Sequence, residues 1–230
     1  EALFDAMSEK IAAAEAARWL AAGFKSAKIK VGSGVDADAE RIAAVRAAVG
    51  DAMELRIDAN EQYEVEGALA LCDAVRGFDL QLFEQPVRKA DLAGLRQIRE
   101  RGGIAIMADE SIGDHESLVR VIKAECADFV KFGIEQAGGL MRARAMLETA
   151  KAAGLPVVLG HGFGLDLSTM AEIMLGATSD NVVAGLECVG PLKVTDTVVT
   201  QRLDLSAGFM AVPEGPGLGI EVDESQLARY

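Results

Sequence analysis

Apolar and polar residues change places in short blocks along the whole chain. Stretches with helical spacing, such as KIAAAEAARWLAA (10–22) and DADAERIAAVRAAV (36–49), alternate with compact apolar runs, such as MELRIDAN (53–60) and DLQLFEQP (79–86). A 3.6-residue period turns one face of each helical stretch toward a core. Short apolar runs bounded by Gly, Pro or Asp suit buried strands. The pattern predicts helices at 10–22, 36–49, 65–76, 91–100, 115–124, 139–153 and 166–177. It predicts strands at 26–31, 53–60, 79–86, 103–111, 127–135, 156–162 and 181–187, with a further one at the front over 2–7. Ser8 and Asp36 stand where the first two helices need N-caps, and Gly23 and Gly50 where they must stop.

Strand–helix repetition of this period predicts parallel strands joined by right-handed crossovers. Seven or eight units favour a closed barrel over an open doubly wound sheet, and no GxGxxG follows the first strand. The expected fold is therefore α/β, a TIM-type barrel over residues 1–190. Residues 191–230 break the rhythm; their PEGPGLGIEVDE is rich in Gly and Pro and reads as an irregular cover on the barrel.

Composition narrows the partners. A net charge of −13 over 230 residues argues against nucleic acid and anionic membrane surfaces, which need positive charge. Three widely spaced cysteines, Cys72, Cys126 and Cys188, form no CxxC pattern and read as reduced thiols of a cytoplasmic protein. No apolar run has membrane length, and no signal peptide is present. The chain starts at Glu1 without methionine, which reads as an excised portion of a longer protein.

One strand breaks the apolar rule. In SAKIKVGSG (26–34), Ala27, Ile29 and Val31 face one way and Lys28 and Lys30 the other. Two ammonium groups side by side repel, and burying them is costly unless they are paired or neutralised. In a parallel barrel the active site lies at the C-terminal strand ends, and there the chain places Asp58 (RIDAN), Glu84 (LFEQP) and Asp109 (IMADES), 26 and 25 residues apart. Three carboxylates on adjacent strand ends converge on one point and call for a cation. An all-oxygen set suits Mg2+, with Mn2+ as the alternative ion. A lysine beside such a cation is a base when neutral, and its charged partner binds a substrate carboxylate. The chemistry expected is removal of the proton α to a small carboxylate, through an enediolate stabilised by the metal.

With these residues in place, the chain resembles the enolase superfamily, in its muconate-lactonizing and mandelate racemase-like branches. The matching motifs are KIK (28–30), DAN (58–60), EQP (84–86), ADES (108–111), AGG (137–139), GLE (185–187) and PGLGIEVDE (216–224), in order over nearly the whole length. The resemblance implies a (β/α)7β barrel and a separate N-terminal capping domain that is missing from this chain, with the 191–230 segment running toward it. It also implies that Asp58, Glu84 and Asp109 hold Mg2+, that Lys30 is the acid/base and Lys28 its partner, and that Asn60 and Glu110 lie near the metal. Glu187 would face the substrate. Racemisation, epimerisation or cycloisomerisation is expected, with syn-dehydration of a hydroxy acid as the alternative, in a full-length protein that is a homo-oligomer. A Schiff-base aldolase or a barrel without chemistry explains the three carboxylates less well.

One position departs. The lactonizing branch carries a second catalytic lysine on the sixth strand, five residues before the Gly-Gly pair, where this chain has Gly133. Lys131 lies two residues earlier on the same face, one layer deeper by the strand rise of about 3.3 Å per residue. His161, at the end of the seventh strand in GHGFG, is the other candidate for the opposite face, with Glu135 to orient it. His115 begins a helix and reads as surface.

Overall fold

The structure, a computed structural model, describes residues 2–4, 8–160 and 163–230; for 2–4 only the backbone is described. Its elements run β1 (Ala2–Phe4), α1 (Glu9–Ala21), β2 (Ser26–Lys30), α2 (Val35–Val49), β3 (Glu54–Asp58), α3 (Val65–Ala74) and β4 (Leu80–Glu84). They continue with α4 (Leu92–Arg101), β5 (Ile106–Ala108), α5 (His115–Ala124), β6 (Phe129–Phe132), α6 (Ile134–Ala137), α7 (Leu140–Ala152), β7 (Val157–Leu159) and α8 (Asp166–Gly176). Seven strands form one sheet in chain order, every neighbouring pair parallel. That sequential order, with a helix in each crossover, is the order of a TIM-type barrel.

Strand alternation sorts the side chains into two layers. Ala27, Ile29, Leu55, Ile57, Phe83, Ile106, Val130, Phe132, Val157 and Leu159 are buried in the large core shared with the helices. Leu82, Met107 and Val158 form a separate small cluster with Phe129 and Val183 packed against it. This is the inner face of the sheet. Two residues further along the same strands stand Glu84, Asp109 and Lys131, so the charged residues sit on an apolar floor.

The eighth strand expected at 181–187 is reduced to one parallel bridge, Val157 to Val182, although the backbone of Val183 and Glu187 still donates to the carbonyls of Val157 and Leu159. The cause is Arg56, fully buried on β3. Its guanidinium reaches across to the carbonyls of Gly185 (2.7 Å) and Ala184 (2.9 Å). Gly185 has φ +81°, and a Cβ there would lie 2.8 Å from the guanidinium. The chain bends to deliver two carbonyls to a cation instead of continuing a ladder.

Capping departs from expectation at α2. The helix begins at Val35 with Gly34 in the N-cap position, and Asp36 plays no capping part. Asp38 takes the loop N–H groups instead. Ser8 occupies the N-cap position of α1 without a side-chain hydrogen bond. Beyond residue 190 the tail carries only short elements, among them a one-turn helix at Glu224–Leu227 and an antiparallel bridge between Val199 and Val222. Asp166 of α8 anchors it, accepting from the Thr197 hydroxyl and the Leu203 N–H.

Candidate active site

Each strand from β2 to β6 carries a charged side chain at its C-terminal end or within one residue of it, and the inner face brings these side chains together. Lys28 is buried, its Nζ 2.7 Å from Glu187 Oε2, 3.0 Å from Glu84 Oε2 and 3.1 Å from Asp58 Oδ2. Lys30 is two residues nearer the mouth, with its side chain 23% exposed; Nζ donates to Asp58 Oδ2 (2.6 Å) and Asn60 Oδ1 (2.5 Å). Asn60 passes the contact on, donating to Glu110 Oε1 at 2.8 Å. Glu187 lies at the end of the truncated eighth strand, where its N–H is held by the Leu159 carbonyl.

Lys131 belongs to this cluster. The register sets Ala108 beside Val130, which brings Lys131 alongside Asp109. Its Nζ lies 2.9 Å from Asp109 Oδ2, 2.8 Å from Glu84 Oε1 and 2.8 Å from Glu187 Oε2. The sixth strand therefore does deliver a lysine. Gly133 is the N-cap of the one-turn helix α6, which takes up the two extra residues before Gly138. Between Gly133 and the Gly-Gly pair the chain therefore makes a helical turn, which advances it less than a strand would.

The remaining assignments divide. His161 lies outside the described residues. Glu135 sits on α6 and accepts from Ser168 at 2.5 Å. His115 is exposed at the start of α5, with Nε2 2.8 Å from the Thr149 hydroxyl. Sequence reasoning quoted Gln85 in EQP but gave it no role. Its Oε1 accepts from the N–H groups of Asp109 and Ser111, fixing the end of β5, while its own backbone is left-handed (φ +33°).

The cluster is electrostatically unbalanced. Five carboxylates (Asp58, Glu84, Asp109, Glu110, Glu187) meet three ammonium groups. Burial, then Asp58 and Glu187, push the Glu84 carboxyl well above its ordinary range. Burial opposes charge on Lys28 and Lys131, but Glu187 and Glu84 overcome it and raise both lysines. Burial likewise opposes ionisation of Glu187, yet Lys131 and Lys28 hold its carboxyl well below range. Burial and Asp109 raise Glu110. Glu110 Oε2 and Glu187 Oε1 are buried without a hydrogen-bond partner among the described residues. Excess carboxylate, all-oxygen donors and two unsatisfied oxygens fit a hard divalent cation. As the chain stands, no three His, Cys, Asp or Glu side chains among the described residues gather at chelating distance, since Lys28 and Lys131 bridge the carboxylates.

A second buried acid lies behind the site. Glu172 of α8 accepts from the Ile134 N–H (3.2 Å) and the Cys188 thiol (3.5 Å), and burial pushes its carboxyl up to about 7. The folded chain thus holds a proton that the unfolded chain, at 4.5, has released. Stability attributable to Glu172 falls as pH rises from 4.5 to 7 and is flat above. In the full-length protein, Glu172→Gln is expected to gain about 2.5 kcal/mol over the native chain between pH 5 and pH 8. Urea unfolding at the two pH values checks this; a pH-independent difference would contradict it.

Comparisons with known proteins give the family. The family model described as enolase C-terminal domain-like covers residues 12–226. The chain belongs to this family, within the enolase superfamily. Among its relatives, muconate cycloisomerase 1-1 of Acinetobacter lwoffii is 33% identical over 204 residues, 88% of this chain and 53% of the relative. The N-succinyl-L-Arg/Lys racemase of Bacillus cereus is 31% identical over 216 residues, 94% of this chain and 58% of the relative. The crystal structure of N-succinyl Arg/Lys racemase from that organism superposes with a TM-score of 0.92 at 28% identity, over 99% of this chain and 61% of the other. The substrate-liganded L-Ala-D/L-Glu epimerase of Bacillus subtilis gives 0.90 at 30% identity, over 96% and 62%. The chain thus spans between half and two thirds of these relatives. No helix among the described residues is long and apolar enough to cross a membrane.

Proposed function

We propose that the full-length protein removes and returns the proton α to a substrate carboxylate, as a racemase, epimerase or cycloisomerase that requires Mg2+. The observation that carries this reading is the placement of Lys30 and Lys131. They stand on β2 and β6, with three strands between them, and flank the carboxylates at the ends of β3, β4 and β5. A proton taken on one side can be returned on the other, which is what inversion of configuration needs.

Asp58, Glu84 and Asp109 would hold the metal, which when bound supplies Lewis-acid stabilisation of the charge developing on the substrate carboxylate. Lys30 takes the α-proton on its face. Asp58 and Asn60 aim its Nζ. Lys28, paired with Glu84 and Glu187, stays protonated below it and keeps positive charge beside the base. Lys131 serves the opposite face. Asn60 and Glu110 brace the outer side of the cluster. The barrel of residues 1–190 would work beneath a capping domain in the full-length, homo-oligomeric, cytoplasmic protein, with 191–230 packed toward that cap.

The relatives' names suggest probes: N-succinyl-L-arginine, L-Ala-L-Glu, and a library of N-acyl amino acids, dipeptides and hydroxy acids. Full-length protein with Mg2+ in D2O is expected to exchange the Cα proton of at least one, read by NMR. EDTA abolishes the exchange and added Mg2+ restores it. No exchange across the library, or exchange that survives EDTA, would overturn the proposal.

A further inference from the structure

We propose that Asp38, Arg41 and Tyr63 are positioning residues for Lys30, forming a buried polar clamp on its backbone from outside the active site. Arg41 Nη1 donates to the Lys30 carbonyl at 3.0 Å and to Asp38 Oδ1 at 2.7 Å. Asp38 Oδ2 accepts from the N–H groups of Gly32 (2.6 Å) and Ser33 (3.1 Å) and from the Tyr63 hydroxyl (2.5 Å). One carboxylate therefore ties together the loop after Lys30, the helix α2 and the loop after β3. The loops themselves touch: a Cβ on Gly32 would lie 2.7 Å from Gln62 Cβ.

Asp38 is fully buried and Arg41 nearly so. A buried ion pair of this kind contributes less than apolar packing of the same volume, so its value lies in geometry. The geometry it fixes is that of Lys30. The ammonium is held by Asp58 and Asn60, and the carbonyl by Arg41. Tyr63 makes the second connection, because its loop carries Asn60 and its own N–H is held by the Pro86 carbonyl, just beyond Glu84 and Gln85. Base and ammonium partners are thereby set against one another through a single acid. Displacement of a catalytic group by about 1 Å costs roughly a hundredfold in rate.

This inference rests on the reading of Lys30 as the base, so its test has one readout that does not need turnover. In the full-length protein, Lys30 is labelled with formaldehyde and cyanoborohydride at fixed pH and its rate read by peptide mass spectrometry. Exposed Lys25 and buried Lys28 and Lys131 are the internal references. Tyr63→Phe, which removes only a hydroxyl, is expected to speed labelling of Lys30 several-fold with the references unchanged. It lowers kcat for Cα-proton exchange roughly tenfold with KM little changed. Arg41→Ala does the same more strongly, and Arg41→Lys restores part of the loss. Unchanged labelling and kcat in folded Tyr63→Phe would overturn the proposal, as would equal acceleration at Lys28 and Lys131, which marks general loosening. If the native protein exchanges no Cα proton but Lys30 labelling responds as described, the proposed function fails and the clamp stands.

Discussion

Lys30→Ala is expected to lower Cα-proton exchange by at least roughly a thousandfold in the full-length protein while Mg2+ still binds. The magnitude follows from removing a general base, worth about 10² to 10⁴ in rate, together with the charge that orients the substrate carboxylate. Metal binding persists because the variant leaves the ligand set supported. Asp58 keeps Lys28 at 3.1 Å and the Asn60 N–H on Oδ1 at 2.9 Å. Glu84 and Asp109 keep Lys131. Lys30 is also the most exposed of the three lysines, with its side chain 23% exposed against 2% for Lys28 and 3% for Lys131. Calorimetric titration with Mg2+ and deuterium incorporation on the same sample separate the two effects. Exchange at the native rate would remove Lys30 from the base role. Loss of Mg2+ binding would show that its charge is needed to assemble the site.

Much of this was legible in the sequence because barrel chemistry is periodic. Asp58, Glu84 and Asp109 are one strand–helix unit apart, and alternation alone sends Lys28 and Lys30 to the face opposite Ala27 and Ile29. The parallel order of the strands followed from the same repeat. What was not legible depends on contacts between residues far apart in the chain. The eighth strand fails because Arg56, 128 residues from Ala184, takes its carbonyls. That Lys131 meets Glu84, Asp109 and Glu187 was not legible either, because α6 is a single turn of IEQA, too short to show a helical period. The clamp was invisible for a similar reason. Asp38 and Arg41 look like the solvent face of an amphipathic helix until Tyr63 and the loop after Lys30 close over them. Asp36 and Asp38 are equally good caps by composition, and only the loop's path selects the second.

The other large effect is expected at Lys131. Its ammonium is shared by Glu84, Asp109 and Glu187, all buried. Lys131→Met keeps the volume and deletes the charge, leaving three carboxylates short of a counter-ion. Removing one partner of a buried ionic cluster costs about 3–5 kcal/mol, because the charges left behind cannot return to water. Urea unfolding of the full-length variant without Mg2+ should show a loss of that size. With saturating Mg2+ the loss should shrink, since a divalent cation among the same carboxylates replaces the missing charge. The catalytic consequence is distinct. With Lys30 intact, one face still exchanges its proton, so one antipode of a substrate should incorporate deuterium without inverting. A folded Lys131→Met protein that still racemises at the native rate would assign the opposite face to another group. A loss below about 1 kcal/mol without Mg2+ would contradict the placement of the ammonium among Glu84, Asp109 and Glu187. Stability and stereochemistry thus test one placement from two directions: the first asks whether Lys131 neutralises the cluster, the second whether it faces the substrate.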